Sequence, residues 1–342
     1  MPDGGLVAVH AHPDDETLAT GALLATWAAA GERVTVVTCT RGERGEVIDT
    51  PEHPTGVGHL EGDGPALAAH REDELAHALT ALGVHDHVFL DAVARGTGPT
   101  ADGETEASSH GAPPARYTDS GMAWAAPGIA RAAAEAQLPA GAFVAVPLDE
   151  AASRLVTVLR ERRPAVVVTY EAGGGYGHPD HVRAHEVTVR ALELLASSGD
   201  AVPSLWQVVA PESAVRAARR ALADRPAVQP LLTGPGRVTL PDPDETLPPL
   251  AVPDARLGDA SPLVAVPVAP VLTAVLAAMR AHATQVRLAS ASDAGPFGPT
   301  PEPLVGWYAL SNDVLAPVPS HEFYAPSRAA LRTLPEPGAD DR

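Results

Sequence analysis

Apolar and polar positions alternate along the chain in short blocks, and their spacing predicts its elements. Leu6–His10 is an apolar run of strand length, and an amphipathic stretch over residues 18–30 follows it and ends at Gly31. Residues 33–39 predict a second strand, and a glycine-containing loop occupies 41–45. Residues 66–82 predict a helix closed by Gly83, and 87–90 a third strand. Farther along, 151–162 predict a helix and 165–169 a strand, followed by a loop over 171–178, a helix over 180–196 and a strand over 206–209. Strands alternating with helices of this length imply right-handed βαβ units and a largely parallel sheet. Ligands of such sheets bind beyond the carboxyl ends of the strands.

Four stretches break the pattern. Residues 97–115 are rich in Gly, Pro, Ser and Thr and predict a mobile loop. Residues 232–259 carry many prolines and acids and predict a segment wrapping the surface, and the tail from Pro335 predicts a frayed end. The apolar run 262–279 has the length of a membrane span. Pro262, Pro267 and Pro270 interrupt it, so a strand over 263–266 followed by a helix describes it better.

The 342 residues are 45% hydrophobic, which fits a globular chain able to bury a large core. The formal net charge of -19 disfavours nucleic acid and anionic membranes as partners. All 24 basic residues are arginine. Cys39 is the only cysteine, so no internal disulfide forms, and a reducing cytoplasm is the expected compartment. Its apolar setting predicts an inert core thiol rather than a nucleophile. The first residues show neither a basic region nor a following apolar run of a secretion signal.

Two polar clusters fall at predicted strand-to-helix junctions. The first is Ala11-His12-Pro13-Asp14-Asp15-Glu16, directly after the first strand. Imidazole and carboxylates so close together are costly to bury unless they bind a cation such as zinc. The alternative is a helix cap formed by Asp14 or Asp15. The second cluster is Gly173-Gly174-Gly175-Tyr176-Gly177-His178-Pro179-Asp180-His181. Its glycines permit close backbone approach, the helix start offers oriented N–H groups, and His178 and His181 can face one cleft. A glycine-rich turn carrying surface histidines is the alternative here. HExxH, GxSxG, CxxC and GxxxxGK[ST] patterns are absent, and the glycines do not match a dinucleotide fingerprint.

Together, His12-Pro13-Asp14-Asp15-Glu16 and Gly177-His178-Pro179-Asp180-His181 resemble the LmbE/PIG-L family of zinc N-acetylglucosamine deacetylases. Val37-Thr38-Cys39-Thr40, Gly45-Glu46-Val47-Ile48, Asp119-Ser120-Gly121-Met122 and Arg280-Ala281-His282-Ala283-Thr284-Gln285 are similar to its actinobacterial mycothiol branch. The segments at 46–48, 119–122 and 281–285 favour the deacetylase acting on N-acetylglucosaminyl-inositol over its sister, the mycothiol S-conjugate amidase. The resemblance implies a Rossmann-like α/β fold, a largely parallel twisted sheet with helices on both faces and C-terminal elaborations. It places a catalytic domain over 1–225, an extension packed on the same domain over 226–334, and a flexible tail over 335–342.

It also implies one Zn²⁺ per chain, with Fe²⁺ an alternative in vivo, held by His12, Asp15 and His181 beside an open position. Asp14 is then the general base, Tyr176 and His178 stabilise the oxyanion, and Asp180 sits beside His178 and favours its protonated form. An alternative for Asp180 is a helix cap, and His185, four residues after His181, is a rival ligand. Arg71, Asp119, Glu46 and Met122 match sugar- and inositol-binding positions, a surface salt bridge being the alternative for Arg71. The implied partner is a small amino sugar, with neither nucleic acid nor membrane. No role follows for His282, and His53, His59, His77, His85 and His110 are expected on the solvated surface.

Overall fold

The structure is a computed structural model that describes residues 4–94, 116–126, 129–132, 138–256, 262–293 and 302–327. The 97–115 loop, His110 and the tail from Pro335 lie outside these residues. The strands are β1 (Leu6–His10), β2 (Val34–Thr38), β3 (Asp86–Phe89), β4 (Met122–Ala126), β5 (Ile129–Ala132), β6 (Val166–Tyr170), β7 (Ser204–Pro211), β8 (Ala251–Val252), β9 (Val264–Pro267), β10 (Arg287–Ala291), β11 (Leu304–Ala309), β12 (Leu315–Pro319) and β13 (His321–Ser327). The helices are α1 (Asp15–Ala29), α2 (Gly64–Leu82), α3 (Leu148–Arg162), the single turn α4 (Gly174–Gly177), α5 (Pro179–Ser197), α6 (Glu212–Ala223) and α7 (Leu272–Ala281).

The main sheet runs β3-β2-β1-β6-β7-β13-β9. Its first five strands are parallel, and β13 and β9 extend it antiparallel. The chain builds β1, β2 and β3 outward in one direction, then returns to lay β6 on the other side of β1. The crevice between the carboxyl ends of β1 and β6 is therefore the point where strand order reverses, the place such sheets bind ligands.

Strands buried on both faces read as continuous apolar runs, which is how Leu6–His10 and Val34–Thr38 are written. Leu6 and Ala8 join Val34, Val36, Val166 and Val168 in a layer with Leu23, Trp27, Leu75 and Leu276 from α1, α2 and α7. Val7 and Val9 point the opposite way, into a layer with Leu155 of α3 and Val187 and Leu192 of α5. This twofold alternation places helices on both faces, as the sequence pattern requires. A third cluster joins α6 to the three-stranded sheet β10-β11-β12.

The interrupted apolar run becomes β9 and α7, and no helix among the described residues is long and apolar enough to cross a membrane. Two boundaries differ from the sequence pattern. Helix α1 begins at Asp15 rather than near residue 18, because Asp14 occupies the N-cap position. The loop expected over 171–178 contains the turn α4, kinked at Gly175.

His87 on β3 sets Nε2 3.0 Å from the Thr38 hydroxyl and its ring edge-on to Phe89. Burial pushes its pKa down to about 4. The native ring thus stays neutral where the unfolded chain already binds a proton, so stability falls as pH drops from the ordinary histidine value toward 4. Urea unfolding at several pH values should show a shallower decline for His87→Gln over that window.

Candidate active site

Residues from two crossover turns meet at the reversal point. After β1 the chain turns through His12, Pro13 and Asp14 into α1. Asp14 takes φ 103° and ψ -33°, a conformation L residues rarely adopt, and its side chain makes no cap hydrogen bond. The capping alternative is thereby excluded for Asp14. This torsion separates two adjacent acids. Asp15 turns toward the second cluster, while the Asp14 Oδ2 lies 3.3 Å from the Arg71 guanidinium.

Asp15 bridges two histidines. Its Oδ2 is 3.2 Å from His12 Nδ1 and its Oδ1 is 3.2 Å from His181 Nε2. Oδ2 also accepts the His12 amide at 2.9 Å. His12 Nε2 faces Asp180 Oδ2 at 3.2 Å and Asp119 Oδ1 at 3.7 Å. Asp180 is fully buried and accepts the Ser120 amide at 2.9 Å.

The glycine run explains how His181 is aimed. Gly174 has φ +69°, and a Cβ there would lie 2.7 Å from the Val182 nitrogen. Only glycine lets this backbone close over the start of α5, which brings its carbonyl 3.2 Å from His181 Nδ1. A carbonyl only accepts, so Nδ1 carries the proton and the lone pair lies on Nε2. Tyr170, the last residue of β6, stacks on this ring at 4.1 Å and accepts the Ala11 amide through its hydroxyl. The sequence pattern did not single out Tyr170; an aromatic ending a strand ahead of a glycine run is the one sign it leaves.

His178 is the N-cap of α5, and its Nδ1 accepts the Asp180 amide at 3.1 Å. Asp180, expected beside His178, does favour that ring's protonated form, but its carboxylate faces His12 and the net shift of His178 is downward; Asp180 does not cap the helix. Nδ1 is an acceptor here, so the proton of the neutral ring sits on Nε2. Burial, with His12 and His181 alongside, holds His178 well below the usual imidazole range. Tyr176 lies edge-on to both His178 and His181.

Charge is distributed unevenly. Burial lowers the His12 pKa, but Asp119, Asp15 and Asp180 outweigh it and hold the ring well above its ordinary value. Burial works against ionising Asp15, yet His181 and His12 hold it well below the carboxylate range. Burial pushes Asp14 up to about 7 against the opposing pull of Arg71, and Asp15 adds to the rise.

This donor set fits a metal ion. Nitrogens of His12, His178 and His181 lie within 4.8 Å of one another, as do those of His12 and oxygens of Asp119 and Asp180. Two fully buried atoms, His181 Nε2 and Asp180 Oδ1, have no hydrogen-bond partner among the described residues. Asp15 belongs to neither group; its two oxygens lie 3.2 Å from His12 Nδ1 and from His181 Nε2.

The remaining candidates fall in different places. Arg71 is 3% exposed, not on the surface; it donates to the carbonyls of Gly42 and Pro13 as well as pairing with Asp14. Asp119 accepts the amides of Gly121 and Arg44, and Met122 opens β4 just beyond. Glu46 is exposed on the loop after β2. His185 is not in the cluster; its Nδ1 lies 2.9 Å from the Tyr170 carbonyl. His59, His77 and His85 are exposed as expected, whereas His53 is half-buried with Nε2 2.8 Å from the Ala283 carbonyl. Cys39 is fully buried and burial raises its pKa, the signature of an inert thiol.

Fold and site together define an α/β enzyme whose histidine and carboxylate cluster can hold a metal at the crevice of a doubly wound sheet. The sequence profile of the PIG-L family, described as GlcNAc-PI de-N-acetylase, matches residues 7–192. A protein of Kineococcus radiotolerans is 45% identical over 292 residues, covering 83% of this chain and 69% of its own length. One of Streptomyces avermitilis is 39% identical over 348 residues, covering 95% of this chain and 92% of its own. One of Saccharopolyspora erythraea is 40% identical over 319 residues, covering 93% and 88%. The first two are named 1D-myo-inositol 2-acetamido-2-deoxy-alpha-D-glucopyranoside deacetylase, and the third carries the same name numbered 1. The chain belongs to the PIG-L family, whose deacetylases are metal-dependent.

Gly174→Ala should displace His181 and weaken metal binding about 10-fold or more, the usual cost of losing a group that orients a ligand. Competition with a chelating dye measures it; unchanged affinity would contradict the role given to this glycine.

Proposed function

We propose that this chain hydrolyses the acetamide of 1-O-(2-acetamido-2-deoxy-glucopyranosyl)-myo-inositol to the free amine and acetate, a step of mycothiol biosynthesis, using one zinc ion. The observation that carries the reading is the division of labour between two adjacent acids. Asp15 sits between His12 and His181, while the positive φ of Asp14 leaves its carboxylate outside that triangle. The names of relatives 45%, 39% and 40% identical to it support the substrate.

His12, Asp15 and His181 hold the ion in this reading. When bound, zinc supplies Lewis acidity to the acetyl carbonyl and to the attacking water. Asp14 accepts the water's proton at its carboxylate and passes it to the amine nitrogen as the C–N bond breaks. Arg71 keeps that carboxylate oriented through its 3.3 Å contact. His178 has its donor on Nε2, because Nδ1 accepts the Asp180 amide, so it can donate to the oxyanion of the tetrahedral intermediate alongside the Tyr176 hydroxyl. Asp180 orients His12 from behind. Arg71, Asp119, Glu46 and Met122 line the approach of the sugar and inositol rings.

Acetate release from the purified protein tests the assignment. Asp14→Asn should lower kcat at least roughly 100-fold while zinc content stays the same. His181→Ala should lose the metal itself. Removing metal with a chelator should abolish hydrolysis, and adding back zinc or ferrous iron shows which ions restore it. Faster turnover of a mycothiol S-conjugate than of the inositol glycoside would move the assignment to the amidase.

A further inference from the structure

The turn that follows α7, residues 282–285, lies apart from the ligand cluster, yet several of its polar groups reach the residues that frame the site. His282 is fully buried and sets Nε2 2.8 Å from Glu16 Oε1. Glu16 is fully buried as well; Oε1 also accepts the Thr17 hydroxyl at 2.6 Å, and Oε2 accepts the Asp14 amide at 2.9 Å. Thr284 gives its amide and hydroxyl to the two oxygens of Glu74, at 2.8 and 2.7 Å, one turn along α2 from Arg71. The Thr284 carbonyl accepts the Ile48 amide, and Gln285 donates to the Glu46 carbonyl.

The His282–Glu16 contact leads to Asp14. An L residue at φ 103° stays there only when its surroundings over-determine it. Glu16 holds the Asp14 amide, and Arg71 holds the Pro13 carbonyl and the Asp14 carboxylate. A buried carboxylate keeps this acceptor role only if its own charge is met, and His282 is the cationic or N–H partner that meets it.

We propose that His282 is a positioning residue: through Glu16 it locks the Asp14 backbone in the positive-φ conformation that separates the free acid from Asp15. This rests on Asp14 being the proton acceptor, and the backbone conformation of Asp14 can be read without that assumption.

The test compares His282→Ala and His282→Gln in the full, zinc-loaded chain. His282→Ala should lower kcat about 10–100-fold, as loss of an outer orienting partner does, with KM and zinc content unchanged. His282→Gln, whose amide can donate where Nε2 does, should recover most of the loss. A crystal structure of His282→Ala should show Asp14 out of its positive φ and Glu16 released from the Asp14 amide. If Asp14 keeps its conformation, if the deficit falls on KM or zinc content, or if the glutamine variant is as impaired as the alanine one, the proposal is wrong. Should His282→Ala fail to fold, His282→Gln and Glu16→Gln decide: the first is expected near wild-type kcat and the second well below it, and the reverse order overturns the proposal. Wild-type protein releasing no acetate would defeat the proposed function, while the Asp14 torsion would still judge this inference.

Discussion

The site is organised by an excess of negative charge among largely buried side chains. Three carboxylates, from Asp15, Asp119 and Asp180, close on the two ring nitrogens of one histidine, and Asp15 reaches a second. Buried anions at such spacing repel each other strongly, and the imidazoles alone offset this only by taking up protons. A divalent cation resolves the conflict with the residues already present. These side chains come together because β1 and β6 are neighbours across the reversal of the sheet, though residue 12 and residue 181 are far apart in sequence.

One backbone torsion then makes two chemically identical neighbours unequal. In an ordinary helix start, Asp14 would cap the helix with its side chain. At positive φ it instead leaves the cap unused and meets Arg71, while Asp15 enters the first turn and joins the histidines. The contrast in environment, one acid held strongly ionised and the other raised by burial, follows from that geometry.

The C-terminal third is part of the same construction. Strands β13 and β9 continue the main sheet, α7 packs with α1 and α2, and the turn after α7 reaches the back of the site. The family profile ends at residue 192, whereas the relatives from Streptomyces and Saccharopolyspora align over more than nine-tenths of the chain. A core of βαβ units thus supplies the histidine and carboxylate cluster, and the later segments supply buried bracing around it.

Much of this was legible in the sequence because it is written locally. Apolar runs and 3.6-residue periodicity gave β1, β2, β3, β6 and β7, with helices α1, α2, α3 and α5, within a few residues. Short spacing exposed His12 with Asp15, and His178 with His181. Strands β4, β5, β8 and β10 to β13 were not read from the sequence, because mixed short runs such as Arg287–Ala291 lack a clear twofold alternation and β13 is defined by pairing with the distant β7 and β9. Whether Asp180 turns to His178 or to His12, which of two adjacent acids faces the histidines, and what His282 does were decided only by the tertiary fold. Each depends on side-chain direction and on partners more than 150 residues away, and neither is encoded in residue spacing.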